Sequence, residues 1–302
     1  MNNLYHYIKY RLVLYPILLL VRFFLKENKI LNHPHFFILG SGRNGSTLLA
    51  TILNAHKNIV IPPEQFLLPY IIIRRYLLFP FNTKAWLKNV KKLYLKKEKT
   101  TNWQLDISKI KLKNGSISEV FNQIFLKYKV KHKKEAKYWG DKSPLNTNFI
   151  KYIYPEFIAA KYIFLIRDPR DVMLSYKKMI KNKSKNYYQW YALMKWEDSI
   201  RSYDYLKNNT EVHLIRYEDL INDTNNEIKK IQDFLSLDVV DNLSLLKEDI
   251  SSMGVKNMSH HQNLNKPISN TSIGKWKNEL SKDDLRCFNK RIKLKMKRFN
   301  YS

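Results

Sequence analysis

Apolar positions fall in two patterns along the chain. Residues 35–39 ("HFFIL"), 161–166 ("KYIFLI") and 211–217 ("EVHLIRY") are short apolar runs that read as buried strands. Residues 58–64 ("NIVIPPE") read as another short strand that ends at a Pro-Pro turn. Helical spacing takes over in residues 46–54 and through most of 67–137. In 226–237 it groups Ile228, Ile231, Phe234 and Leu235. Residues 281–300 read as one closing helix, with Ser281 as N-cap and Asp283 and Asp284 in the first turn. Short apolar strands separated by helices predict an α/β fold whose parallel sheet is covered on both faces. With 302 residues, one large domain and two small ones are both open.

The N-terminus breaks this pattern. Residues 12–21 ("LVLYPILLLV") form an apolar run between Lys9, Arg11 and Arg22, and it resumes as far as Leu25. It is shorter than the roughly 20 residues that cross a bilayer core. No small-residue cleavage site follows it. Residues 1–33 therefore read as a separate N-terminal helix before a domain at 34–302. Residues 12–25 either lie on a membrane surface or pack on that domain.

Composition adds charge. The chain carries 54 Lys and Arg against 26 Asp and Glu, a net +28. Such a charge attracts phosphate, sulfate, nucleic acid or anionic lipid, although a general lysine bias would produce it too. The "KAWLKNVKKLYLKKEK" stretch holds seven lysines and one glutamate. The single cysteine, Cys287, rules out an internal disulfide and any multi-cysteine zinc site. A cytoplasmic or membrane-associated location fits best, with a secretory-pathway membrane protein as the alternative. The histidines show no metal-ligand spacing; His260 and His261 are adjacent and read as loop residues. His56 reads as a cap or surface residue.

Four stretches carry candidate chemistry. In "FFILGSGRNGSTLL" a strand enters a glycine turn and then a helix, the arrangement that points backbone N–H groups at an anion. Gly42 and Gly45 let the backbone approach closely, Arg43 supplies a forked cation, and Ser46 and Thr47 supply hydroxyls. The spacing approaches the nucleotide loop GxxxxGK[ST], but Ser46 stands where that loop needs lysine. In "DKSPLNTNFIKYIYPEFIAAKYIFLIRDPRDVMLS", Lys142 precedes Pro144 in a turn. Arg167 follows a strand, and Ser175 lies eight residues beyond it. Arg167 suits a phosphate; a salt bridge of Arg167 or Arg170 with Asp168 or Asp171 is the structural alternative. In "LIRYEDL" Tyr217 ends a strand, where ligands bind in open α/β sheets. Glu218 and Asp219 read as helix caps. "TSIGKWKNELS" offers a glycine turn, Lys275 and Trp276.

In this order the four stretches resemble the sulfotransferases that use 3′-phosphoadenosine 5′-phosphosulfate (PAPS), from about Phe36 to the C-terminus. Residues 67–136 match poorly. "GRNGSTLL" is similar to the family's 5′-phosphosulfate loop, with Asn44 where serine is usual. "RDPRDVMLS" is similar to its 3′-phosphate element. The flavour is that of the tyrosylprotein, bacterial and carbohydrate branch. The resemblance implies a three-layer αβα, P-loop-like fold with a mainly parallel sheet. It implies that Arg43, Asn44, Gly45, Ser46, Thr47 and Leu48 hold the 5′-phosphosulfate, and that Arg167 and Ser175 hold the 3′-phosphate. Tyr217 would meet the adenosine part, and Lys275 with its neighbours would close the site. Glu64 matches the general base and Lys142 the lysine that stabilises the sulfuryl group. A serine before the Lys-Trp pair is Gly274 here; either Ser272 substitutes for it or that contact is absent. PAPS is then the co-substrate, with no metal required. The basic 67–137 region falls on the acceptor side, where an acidic glycan, peptide or lipid would present a hydroxyl. Rival readings are a P-loop kinase or NTPase, which lacks its lysine, and a basic nucleic-acid or membrane-binding protein, for which no motif appears.

Overall fold

The computed structural model describes residues 15–24, 35–101, 103–113, 115–180, 184–246 and 268–301. Residues 12–14, Leu25, His260 and His261 lie outside them. Five strands form one sheet: β1 (His35–Gly40), β2 (Ile59–Val60), β3 (Tyr138–Lys142), β4 (Lys161–Ile166) and β5 (Val212–Arg216). Their order is β2-β3-β1-β4-β5, and every pair is parallel.

The alternation of side chains along a strand splits the core in two. In β1, Phe37 and Leu39 face one way and Phe36 and Ile38 the other. In β4, Tyr162, Phe164 and Ile166 share the first face and Ile163 and Leu165 the second. The second face is covered by α1 (Ser46–Asn54), through Leu49, Ile52 and Leu53, and by Ile228 and Ile231 of the 224–234 helix. The first carries α2 (Leu67–Leu77), α3 (Thr83–Thr101), α4 (Ile117–His132), α5 (Pro169–Met179) and α6 (Lys185–Lys207). All five strands are thus sandwiched between helices, in the three-layer αβα arrangement.

Two expectations change. "YWGDK" is a strand, β3, so Lys142 ends a central strand instead of sitting in a turn. Glycine and two charges hid its pattern, while pairing with β1 and β2 supplies its burial. The closing helix is two helices, Lys282–Leu285 and Lys290–Lys297. Ser281 and Asp284 form a capping box for the first. Asn289 caps the second by accepting from the Ile292 N–H at 3.1 Å, which gives the backbone an alternative to continuing the helix.

The helix Tyr15–Phe24 packs against α2. Leu18 is buried in the core, while Ile17 and Leu20 are exposed. Among the described residues no helix is long and apolar enough to cross a membrane.

Candidate active site

Each strand delivers one candidate group at or just beyond its carboxyl end, the edge where open α/β sheets bind ligands. Across the sheet these are Glu64 after β2, Lys142 at the end of β3, the loop after β1, Arg167 after β4 and Tyr217 after β5.

The loop after β1 is held by its own side chains. Asn44 is fully buried and donates from Nδ2 to the Leu165 carbonyl at 2.6 Å, which ties the turn to β4. Its amide nitrogen is therefore committed to structure. Gly45 has φ +91°, and a Cβ there would lie 2.4 Å from the Tyr217 ring. Arg43 also has positive φ, +57°, an uncommon conformation for a bulky residue. Thr147 clamps the start of the loop: its hydroxyl accepts from the Gly40 N–H and donates to the Gly40 carbonyl, both at 2.9 Å. Beyond Gly45, α1 begins without a side-chain cap. The N–H groups of Ser46, Thr47 and Leu48 head a helix end whose first turn has no helical acceptors.

Three cations surround this loop. The Lys142 ammonium is 1% exposed; it donates to Thr47 Oγ1 at 3.1 Å and forms an ion pair with Glu64. Glu64 faces Lys142 with its side chain 24% exposed. The Arg43 guanidinium donates from Nε to Ser175 Oγ at 3.0 Å. Burial lowers its pKa, opposed by the nearby Tyr176 and Glu64 and reinforced by Arg167. Arg167 donates to the Arg43 carbonyl at 3.1 Å and to the Ser272 carbonyl at 2.5 Å, and stacks 4.4 Å from the Tyr217 ring centre. Its buried Nε has no protein partner.

The salt-bridge alternative belongs to Arg170, which pairs with Asp168 through Nη2 at 2.7 Å. Asp171 does something else: it accepts the Gly274 N–H at 2.7 Å and the Trp276 N–H at 3.0 Å. Arg170 covers the Trp276 ring at 3.8 Å. The fourth stretch is thus bound to the start of α5. Gly274 has φ +69°, which favours glycine over the serine of the resembled pattern. Its N–H and the Ser272 carbonyl, not a Ser272 hydroxyl, make the bonds that hold the stretch against α5 and Arg167.

Sequence reasoning passed over Asp141 and Tyr176 and gave Glu218 and His56 only local roles. Asp141 is buried, accepts from Ser143 Oγ at 3.0 Å and Asn146 Nδ2 at 2.6 Å, and has its pKa pushed up to about 6 by burial. Tyr176 donates from its hydroxyl to the Ser41 carbonyl at 3.0 Å, and burial raises its pKa. Glu218 is no surface cap: it accepts from the Asp168 N–H at 3.0 Å and from the Tyr301 hydroxyl at 2.7 Å. His56 is buried, 1% exposed, and bridges the Asn58 N–H and the Asp238 carbonyl at 3.1 and 3.0 Å. A polar residue's burial depends on distant elements, so nothing local marks these four.

A family model described as "Sulfotransferase family" matches residues 34–241. The chain belongs to the sulfotransferase family. Among its relatives, protein-tyrosine sulfotransferase A of Caenorhabditis elegans is 24% identical over 260 residues, covering 83% of this chain and 63% of that one. Sulfotransferase 2A1 of Mus musculus is 28% identical over 174 residues, 46% of this chain and 58% of its own. The chain thus spans about three fifths of the length of these curated relatives. Among solved structures, the sulfotransferase domain of the Synechococcus PCC 7002 olefin synthase superposes with a TM-score of 0.62 at 23% identity, covering 92% of this chain and 98% of that domain. The sulfotransferase domain of the curacin biosynthetic pathway gives 0.59 at 21%, covering 91% and 99%. The αβα, P-loop-like architecture of this family is therefore the architecture of the chain.

Proposed function

We propose that the chain transfers the sulfuryl group of PAPS to an acceptor hydroxyl at the carboxyl edge of its sheet. The observation that carries this reading is the placement of two separate cationic centres on either side of one uncapped helix end. Lys142 ends β3 and Arg167 follows β4, and the loop after β1 lies between them. Adjacent strands are about 5 Å apart, so the strand ends that carry Lys142 and Arg167 lie about 10 Å apart. A donor with a 5′-phosphosulfate and a 3′-phosphate needs two anion sites at such a separation. The orphaned Arg167 Nε is a further fit, because a buried donor without a partner is costly unless a ligand supplies one. A mouse sulfotransferase, SULT7A1, solved in complex with PAP has the same fold at a TM-score of 0.50.

The roles follow from position. The Arg43 to Leu48 segment, through backbone N–H groups and the Ser46 and Thr47 hydroxyls, takes the phosphosulfate. Arg167 and Ser175 take the 3′-phosphate, with Tyr217 against the nucleoside and the 272–276 turn, including Lys275, closing over it. In the reaction the sulfur–oxygen bond to the nucleotide breaks as one to the acceptor oxygen forms. Lys142 and Arg43 are preorganised cations facing the charge that grows on the sulfuryl oxygens and the leaving phosphate. Glu64 takes the acceptor's proton. Its pairing with Lys142 keeps the base and the cation on one reacting centre. The acceptor enters beside the basic 67–137 helices, which favour an anionic glycan, peptide or lipid as its carrier. The partly exposed helix Tyr15–Phe24 offers peripheral contact with a membrane surface.

A thermal-shift panel tests the reading. 3′,5′-Adenosine bisphosphate without magnesium should raise Tm. Stabilisation by Mg-ATP alone would replace the reading with a kinase, and a salt-sensitive gain from oligonucleotides alone would replace it with a nucleic-acid binder. Glu64→Gln should keep nucleotide binding and lose transfer; normal transfer would place the base elsewhere.

A further inference from the structure

We infer that Tyr301 is a positioning residue for the 3′-phosphate: with Trp196 it clamps the Arg167–Asp168 peptide from which the Arg167 side chain projects. The inference rests on the sulfotransferase reading above and deepens it by adding a residue from a distant stretch of the chain. Ile166 is the last residue of β4 and pairs with Arg216 of β5. The Arg167 carbonyl and the Asp168 N–H lie beyond that pair, and such backbone groups need partners when buried. Side chains supply them. Trp196 of α6 donates its indole N–H to the Arg167 carbonyl at 3.0 Å. Glu218 accepts the Asp168 N–H on one oxygen at 3.0 Å and the Tyr301 hydroxyl on the other at 2.7 Å. The 299–301 segment backs both arms of this clamp. Phe299 lies edge-on to Trp196 with ring centres 6.5 Å apart. Tyr301 is 4% exposed, and the Arg216 guanidinium lies 4.8 Å from its ring centre.

A helix stop turns Tyr301 inward. Asn300 has φ +59°, which asparagine adopts more readily than most residues. Tyr301 then donates its N–H to the Met296 carbonyl at 3.1 Å, a bond that closes the end of the Lys290–Lys297 helix. The far end of Arg167 rests on the Arg43 and Ser272 carbonyls, which belong to two loops. The clamp fixes the near end relative to the sheet and α6. A ligand-binding group has to be held within about 0.5 Å of its place. Without the Tyr301 hydroxyl, Glu218 loses one of its two donors and with it the fixed position that holds the Asp168 N–H. The loss should therefore fall on the part of the nucleotide that Arg167 meets.

Calorimetric titration of the full chain with 3′,5′-adenosine bisphosphate and with adenosine 5′-monophosphate tests this. The ratio of the two dissociation constants measures the preference for a 3′-phosphate. Tyr301→Phe, which removes only a hydroxyl, should lower that preference about tenfold while monophosphate binding stays at the parent's value. Trp196→Phe removes the donor on the other side of the same peptide and should show the same selective loss; it decides the clamp if Tyr301→Phe does not fold. Tyr162→Phe is the control for lost stability. It deletes a buried hydroxyl that donates to the Phe157 carbonyl at 2.9 Å, and it should keep the parent's preference. A parental preference in either folded clamp variant would overturn the inference and leave the sulfotransferase reading standing, and an equal loss in Tyr162→Phe would overturn it too. A parent with no preference for the bisphosphate would remove the 3′-phosphate role of Arg167, and the inference with it.

Discussion

The carboxyl edge of the sheet and the 67–137 helices are built by different means. At the sheet edge, buried polar side chains are anchored to backbone groups: Asn44 to Leu165, Thr147 to Gly40, Asp171 to the 274–276 turn. In the helical region the interior is aromatic, with Trp86, Trp103, Phe121 and Phe125 buried, and the lysines lie outside. There, Lys91, Lys129 and Lys131 donate to backbone carbonyls at the surface. A buried polar pair fails if either partner changes, because the other is left unsatisfied. A lysine on a solvated face can be exchanged at little cost. The site therefore tolerates little substitution, and the helical region tolerates much.

Six variants measure that contrast, from the largest effect down. Lys142→Ala and Arg43→Ala should each lower turnover by about 100- to 1,000-fold, the usual cost of a charge-stabilising donor. The fold and the thermal shift with 3′,5′-adenosine bisphosphate should persist in Lys142→Ala. Parental turnover in either variant would remove that residue from the reaction.

Gly45→Val places a β-branched residue at φ +91° against the Tyr217 ring. It should cost about 1–3 kcal/mol in urea unfolding and weaken nucleotide binding. Asp171→Ala leaves the Gly274 and Trp276 N–H groups without their acceptor. It should cost about 1–3 kcal/mol by the same assay and, because the turn also bonds Arg167, raise the nucleotide dissociation constant. An unchanged dissociation constant would separate the turn from the nucleotide site.

The pH response is subtler. The folded pKa of Asp141 is raised to about 6, above the usual carboxylate range. Between about pH 4 and 6 the native state then binds more protons than the unfolded state, so this group favours folding at low pH. That contribution is lost as pH rises through 6. Asp141→Asn should flatten this part of the stability–pH curve relative to the parent; identical slopes would place the Asp141 titration elsewhere. At the bottom of the series, Lys88→Gln together with Lys92→Gln on α3 should change stability by less than about 0.5 kcal/mol and leave nucleotide binding unaltered. A large loss would mean that these lysines do more than cover the surface.

Much of the architecture was legible in one dimension. Strands at 161–166 and near 35–40 and 212–216, and the helix at 46–54, follow from runs and periods of apolar residues, which local sequence carries directly. The shape of the loop was legible for a related reason: a glycine turn entering a helix is a contiguous feature of the sequence. The central strand β3 escaped notice because its burial comes from neighbours on both sides and not from its composition.

The sequence by itself determined the class of fold, the anion-directed loop and which cations were available to it. It also determined how the loop after β1 departs from the GxxxxGK[ST] pattern, through Ser46. Only the tertiary structure decided that Lys142 would be buried against Thr47 and Glu64, that Arg167 would join the loop to the 272–276 turn, and that Asn44 and Asp171 would serve as anchors. The physical reason is range. Backbone preference and apolar period are set within a few residues, whereas the burial and partner of a polar side chain depend on segments about 100 residues away, such as Lys142 from Thr47 with a separation of 95.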